Sequence, residues 1–235
     1  MVDKIKLFCF PYAGGSSTVY ARWRRYLNEN IELCPVELPG RGSRMEERLK
    51  DSMEEIVNDA YSSIEKKLDC PFAFFGHSMG SIIAYELCFK LFNQKGLKPV
   101  HAFFSGRRAP HLDRQEEIIH KLPDDVFKEK IIALGGTPVE ILEYPELLDI
   151  FLPILRADYK AVETYAFKHI NTALGCDISI LNGKQDDITF FEVAEWNRHT
   201  SQNYKIHMFE GGHFYINECY ADVIMIINHV LGKCK

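Results

Sequence analysis

Residues 71–87 read PFAFFGHSMGSIIAYEL, and they contain the most informative junction of the sequence. The apolar run over 71–75 predicts a short buried strand, and the residues after Gly80 have helical character. Between them lies Gly76-His77-Ser78-Met79-Gly80, a G-x-S-x-G pattern that gains meaning at a strand–turn–helix junction. There the serine occupies a strained turn, and its hydroxyl projects above the sheet. The stretch therefore predicts Ser78 as a nucleophile; the alternative is a glycine-rich turn with an incidental serine.

Short apolar segments alternate with helical patterns along the rest of the chain. Apolar residues have helical spacing over 53–68 and again over 220–231. Near-continuous apolar strands are typical of a parallel sheet that is buried on both faces. The pattern predicts an α/β fold with a mostly parallel sheet flanked by helices. The predicted strands are Ile5–Phe10, Ile31–Glu37, Pro71–Phe75, Val100–Ser105, Asp177–Asn182 and Tyr204–Phe209.

The segment from about 109 to 174 interrupts this alternation. It contains helical patterns, with prolines at positions 123, 138, 145 and 153, but no evident strand. Ligands bind beyond the strand ends of open α/β sheets, so the segment is predicted to be an inserted helical lid. The alternative is a segment that only extends the core. Because no repeat, linker or low-complexity stretch is evident, residues 1–235 are predicted to form a single domain.

A serine hydroxyl needs a base to act as a nucleophile at neutral pH. His213 is the candidate base because it follows Gly211-Gly212 just after the last predicted strand. Such a loop lies at the sheet edge where the serine turn also points. His199 falls in a polar helical stretch and is expected to be solvated. His77 is expected to shape the turn rather than to act as the base.

The third member of such a site is a carboxylate that orients the histidine, and in this topology it lies between serine and histidine along the chain. Asp186 and Asp187 both follow the strand that ends near Asn182. Only one of the two can point inward from an ordered loop. Asp158 is a more distant rival, and it lies in the predicted lid.

The charge that develops on the reacting carbonyl requires backbone N–H donors. One predicted donor is Met79, the residue after the nucleophile. The second is Ala13, in the small-residue loop Phe10-Pro11-Tyr12-Ala13-Gly14-Gly15 after the first strand. The alternative is that these glycines only form a turn before the next helix.

Composition argues against several other functions. A net charge of −5 is unfavourable for a nucleic-acid-binding protein that works through a broad basic face. No apolar run reaches the length needed to span a bilayer, and no signal-peptide pattern begins the sequence. The seven cysteines include no C-x-x-C pair, so a reducing, cytoplasmic location is expected. Because dinucleotide, P-loop and zinc-protease motifs are absent, neither cofactor nor metal is expected.

Taken in order, these motifs resemble those of type II thioesterases, stand-alone α/β-hydrolases associated with nonribosomal peptide and polyketide synthases. The family pattern writes the acid as G-x-x-D followed by a tryptophan about ten residues on. Gly183-Lys184-Gln185-Asp186 and Trp196 match that pattern and favour Asp186 over Asp187. The resemblance runs over nearly the whole chain, through residues 10–15, 37–42, 75–80, 105–110, 134–138, 152–159 and 211–214.

The resemblance implies hydrolysis of acyl thioesters held on the phosphopantetheine arm of a carrier protein, which clears misprimed or stalled groups. The carrier protein would be a transient partner, and the enzyme is expected to be a monomer. A carboxylesterase or a thioesterase that terminates fatty-acid synthesis would carry the same motifs, and a non-catalytic binding protein is a third reading. Arg41, Arg107, Arg108 and Arg156 are candidates for docking an acidic carrier protein, although Arg156 is expected to form an internal ion pair.

Overall fold

The computed structural model describes residues 4–112, 117–135, 144–169 and 171–234. All six of its strands are parallel and lie in the order β2-β1-β3-β4-β5-β6, which confirms the predicted α/β-hydrolase fold. β2 ends two residues earlier than predicted, because Glu37 turns away and accepts hydrogen bonds from Ser17 N and Oγ. The strands are β1 (Ile5–Phe10), β2 (Ile31–Pro35), β3 (Phe72–His77), β4 (His101–Ser105), β5 (Asp177–Gly183) and β6 (Tyr204–Phe209).

The helices cover both faces of this sheet. α2 follows β3 directly and is buried around most of its circumference, as expected of a helix in the middle of the domain. A 3₁₀ helix over Ser17–Arg25 connects β1 to β2. The α-helices are α1 (Met53–Ile64), α2 (Met79–Lys95), α3 (Asp124–Leu134), α4 (Pro145–Glu163), α5 (Phe190–Ala194) and α6 (Tyr220–Leu231).

Alternate side chains along the strands fill two hydrophobic layers. Phe74 belongs to the layer that contains α1 and α2, whereas its neighbour Phe75 belongs to the layer that contains Trp23 and α6. Successive strand residues point to opposite faces of a sheet, so burial of both explains the near-continuous apolar strands in the sequence.

The strand order creates a change of direction beside β1. The chain passes from β1 to β2 on one side and then returns to β3 on the other side of β1. The loops that follow β1 and β3 therefore separate at the carboxyl edge of the sheet, where open α/β sheets bind their ligands. These are the loops that contain Ala13 and Ser78.

The segment between β4 and β5 contains α3 and α4. Phe127 and Ile131 of α3 pack with Leu155 of α4 in a small hydrophobic cluster of their own. Within the described part of the predicted lid, no residue belongs to a named strand. Positions 113–116, 136–143 and 170 of that segment lie outside the described residues. Across the described ranges, every helix is too short or too polar to cross a bilayer.

A buried histidine in β4 predicts acid-sensitive stability. His101 Nε2 lies 2.9 Å from Ser179 Oγ, and burial lowers the pKa of His101 to about 4. Below pH ~6.5 the unfolded chain binds a proton that the folded chain excludes, so the free energy of unfolding falls as pH is lowered toward 4. In urea titrations from pH 7 to pH 5, we expect His101→Gln to reduce this slope by about 1 kcal/mol per pH unit. The exposed His229→Gln variant is the control, and an unchanged slope in His101→Gln would contradict the assignment.

Candidate active site

Ser78 lies on a strained turn between β3 and α2. Its φ of 53° and ψ of −113° are unusual for a residue with a side chain. The turn is held because Ser78 N donates to Ser105 O of β4 over 2.8 Å. The structure therefore places Ser78 in the strand–turn–helix context that the sequence predicts.

Gly80 brings this turn against the loop after β1. A Cβ at position 80 would lie 2.0 Å from Phe10 O and 2.9 Å from Pro11 O, so only glycine permits this approach. The contact fixes the start of α2 beside the loop that continues to Ala13. Met79 is the first residue of α2, so its N–H has no carbonyl one turn earlier within the helix.

His213 and Asp186 form a hydrogen-bonded pair at the ends of β6 and β5. His213 Nδ1 lies 2.8 Å from Asp186 Oδ2, and the side chains are 30% and 3% exposed, respectively. The two loops are tied together because Gln185 N donates to Gly211 O over 3.0 Å. Asp187 is exposed. The structure thus brings Asp186 to the imidazole.

Ser78 and His213 border the same short piece of backbone. Ser78 N bonds to Ser105, and a Cβ on the next residue, Gly106, would lie 3.3 Å from His213 Cε1. The carboxyl ends of β3, β4, β5 and β6 therefore bring a serine, a histidine and a carboxylate to one edge of the sheet. Since His213 Nδ1 faces the carboxylate, Nε2 is the nitrogen that can accept a proton from a hydroxyl.

A buried polar network supports the turn from beneath. His77 Nδ1 lies 2.8 Å from Ser105 Oγ, which lies 2.6 Å from Tyr215 OH. The rings of His77 and His213 are 5.1 Å apart, and burial lowers the pKa of His77 well below 6.5. A neutral His77 adds no positive charge beside His213. Sequence reasoning missed Ser105 and Tyr215, because their contacts span 28 and 110 residues.

The loop after β1 places Ala13 directly before two backbone donors that are already engaged. Gly14 N donates to Asp158 Oδ2 over 2.7 Å, and Gly15 N donates to Tyr12 O over 2.9 Å. Within the described ranges, the Ala13 N–H has no hydrogen-bond acceptor. Asp158, the distant rival for the acid, contacts this loop and Arg41 rather than His213.

Three expectations about charged and polar side chains were wrong. His199 is buried, and its two ring nitrogens form hydrogen bonds with Tyr85 OH and His111 Nδ1, which allow a polar ring to be buried. Arg41 is buried against Asp158, and Arg108 is also buried, so neither offers a docking surface. The expected ion pair of Arg156 is present: its guanidinium lies 2.5 Å from Asp124.

A parallel sheet in this order, with a strained serine after β3 and a carboxylate–histidine pair after β5 and β6, defines the α/β-hydrolase class. A family model described as "Thioesterase domain" matches residues 5–233. The chain therefore belongs to the thioesterase family, and within it to the type II thioesterases, which hydrolyse thioesters.

Relatives and solved structures match over almost the full chain. Linear gramicidin dehydrogenase LgrE of Brevibacillus parabrevis is 40% identical over 232 residues, which cover 97% of this chain and 88% of that protein. The crystal structure of ClbQ from the colibactin NRPS/PKS pathway has a TM-score of 0.94 at 35% identity and covers 98% of both chains. The type II thioesterase BorB from the borrelidin biosynthetic cluster has a TM-score of 0.88 at 32% identity, over 97% of this chain and 93% of that chain.

The two adjacent aspartates give a direct test of the pair. We expect Asp186→Asn to lower kcat for acetyl-CoA hydrolysis by about 10³–10⁴-fold, because the amide cannot hold the required histidine tautomer. Asp187→Asn, an isosteric change at the exposed neighbour, is expected to change kcat by less than about threefold. Equal losses in the two variants, both with wild-type thermal unfolding, would contradict the assignment of Asp186.

Proposed function

We propose that this enzyme hydrolyses acyl groups from the phosphopantetheine arm of carrier proteins in nonribosomal peptide or polyketide synthesis. Ser78 is the nucleophile, His213 the base, Asp186 the orienting acid, and Ala13 and Met79 the oxyanion donors. The main support for these catalytic roles is the strained Ser78 turn beside the Asp186–His213 hydrogen bond. The carrier-bound substrate is supported by the likeness to ClbQ and BorB.

The reaction proceeds in two halves. Ser78 Oγ attacks the thioester carbonyl carbon while His213 Nε2 takes its proton. The N–H groups of Ala13 and Met79 stabilise the tetrahedral oxyanion. As the C–S bond breaks, the proton passes from His213 to the departing pantetheine sulfur, and an acyl-Ser78 ester remains. Water, deprotonated by His213, then attacks the ester, releases the carboxylic acid and restores Ser78.

We infer that the whole chain acts as one domain, with α3 and α4 as a lid over the acyl group. A cavity of about 140 Å³ between the lid and the loop after β1 is its proposed place. An apolar cavity of ~150 Å³ holds benzene, so this one accommodates an acyl chain of about six carbons. Its lining is mainly apolar and comprises Tyr12, Ala13, Gly14, Gly15, Ser16, Thr18, Val19, Ile131, Leu134, Phe151, Leu155, Tyr159 and Phe214.

We propose the cytoplasm as the location of the enzyme, because all seven cysteines are free thiols, as suits a reducing compartment. We also propose that the enzyme is a monomer that meets carrier proteins transiently. The proposed steps use only side chains, backbone N–H groups and water, and require no cofactor. The dehydrogenase name of the Brevibacillus relative is not extended to this chain, whose sequence has no G-x-G-x-x-G motif.

The decisive comparison uses acetyl groups on a phosphopantetheinylated carrier protein, with acetyl-CoA and p-nitrophenyl acetate as matched substrates. We expect kcat/KM to be highest for the carrier, because protein contacts add binding energy that small substrates lack. Ser78→Ala is expected to lose about 10⁴–10⁶-fold in kcat on all three substrates. Activity restricted to p-nitrophenyl acetate would instead indicate a carboxylesterase.

Cavity size predicts a dependence on acyl-chain length. Hydrolysis of carrier-bound acyl groups is expected to decline beyond about six carbons, and Phe151→Ala to shift the limit toward longer chains by enlarging the cavity. Ile150→Ala removes the exposed neighbouring side chain and serves as the control. A wild-type preference for chains of twelve or more carbons would contradict this cavity and favour a thioesterase that terminates fatty-acid synthesis.

A further inference from the structure

A buried ion pair connects helix α4 to the loop after β1. Arg41, between β2 and α1, donates from Nη1 to Asp158 Oδ2 over 2.6 Å and from Nη2 to Asp158 Oδ1 over 2.8 Å. Arg41 is 4% exposed and Asp158 is fully buried. Two charges withdrawn from water in this way are tolerated when they are paired and hydrogen-bonded. Of the polar atoms of these two side chains, Arg41 Nε alone has no hydrogen-bond partner among the described residues.

The remaining hydrogen bonds of this pair go to the backbone of the loop. Asp158 Oδ2 also accepts from Gly14 N over 2.7 Å, and Arg41 Nη1 donates to Gly15 O over 3.3 Å. The pair therefore holds both polar ends of the Gly14–Gly15 segment. Because a peptide unit is planar, fixing the Gly14 N–H also fixes the Ala13 carbonyl.

A second side chain of α4 packs against the same glycine. Leu155 lies three residues before Asp158, on the same face of α4. A Cβ at Gly14 would lie 2.5 Å from Leu155 Cδ2, and the φ of Gly14 is +76°. Gly14 is thus held by an apolar contact and by a charged hydrogen bond, in a conformation that favours glycine.

We propose that Asp158 and Arg41 are positioning residues that fix the oxyanion donor at Ala13. This inference rests on the proposed function of Ala13 as a donor. The pair engages Gly14 N, so the Ala13–Gly14 peptide unit cannot rotate to offer a competing donor, and its bond to Gly15 O fixes the Gly15–Ser16 peptide unit further along the loop. Only the φ and ψ torsions of Ala13 then separate the fixed Gly14 amide from the Ala13 N–H. Helix α4 thereby contributes to catalysis through a residue that does not itself touch substrate.

A buried ion pair is by itself weak evidence for a gain in stability. Replacing a buried ion pair by apolar residues of similar size is often neutral or stabilising, whereas removing one partner is costly. The double variant Arg41→Leu/Asp158→Leu therefore separates the two roles. This variant removes both charges, so it is expected to fold, and Gly14 N no longer has the Asp158 carboxylate as its acceptor.

The experiment measures kcat and KM on acetyl-carrier protein and the affinity for a trifluoromethyl ketone analogue of the acyl-pantetheine. In the double variant we expect kcat to fall by about 10²-fold with KM within about threefold, and the affinity for the ketone to fall in the same proportion. The ketone forms a tetrahedral adduct whose oxyanion needs the donors. A loss of affinity for the ketone in a folded variant therefore reports on the oxyanion donors and not on the stability of the fold.

Two single variants keep the test decisive if the double variant does not fold. Asp158→Asn retains an acceptor for Gly14 N but removes the negative charge, so kcat is expected to fall by about tenfold. Arg41→Lys is expected to lower kcat by a similar factor, because an ammonium group cannot donate two parallel hydrogen bonds to the carboxylate as a guanidinium does. Asp124→Asn removes the partner of Arg156, at the surface of α3, and is expected to keep wild-type kcat. Wild-type kcat and ketone affinity in the folded Asp158 and Arg41 variants would overturn the proposal.

Ser78→Ala, assayed in parallel, distinguishes this failure from failure of the proposed function. Lost hydrolysis in Ser78→Ala together with wild-type kcat in the Asp158 variants would reject only the positioning role. Retained hydrolysis in Ser78→Ala would reject the mechanism on which the inference rests.

Discussion

The active site depends on one strained residue and on the backbone contacts that hold it. Ser78 keeps its positive φ because its N–H bonds to Ser105 on one side and because Gly80 allows α2 to touch the Phe10 carbonyl on the other. A conformation of this kind costs of the order of 1–3 kcal/mol and persists only where its surroundings over-determine it. Three adjacent parallel strands supply those surroundings, so the central sheet maintains the geometry of the nucleophile.

The same sheet also positions the other residues of the active site. The change of direction beside β1 opens the edge at which the loops after β1 and β3 separate, and parallel strands bring the ends of β5 and β6 to that edge. Asp186 is nearly buried and His213 is half-buried. An orienting carboxylate shielded from water and a base accessible to substrate are what acyl transfer requires.

Sequence patterns predicted the sheet and Ser78 well, because both depend on local order along the chain. The partners of charged residues were predicted poorly. Arg41 and Asp158 were interpreted as a docking residue and a rival acid, yet they pair across 117 positions and are buried. Isolated charged residues in a sequence favour a surface prediction, since only the tertiary structure shows a partner. The Ser105–Tyr215 contact, over 110 residues, was missed for the same reason.

The proposed mechanism requires carrier-bound acyl groups to pass through Ser78. Rapid-quench mass spectrometry of the intact enzyme, mixed with excess acetyl-carrier protein, tests this step. We expect an added acetyl mass that appears within the first turnover, maps to the peptide containing Ser78 and is absent from Ser78→Ala. Steady hydrolysis of the carrier thioester with no adduct on that peptide, or with an adduct on another residue, would contradict it.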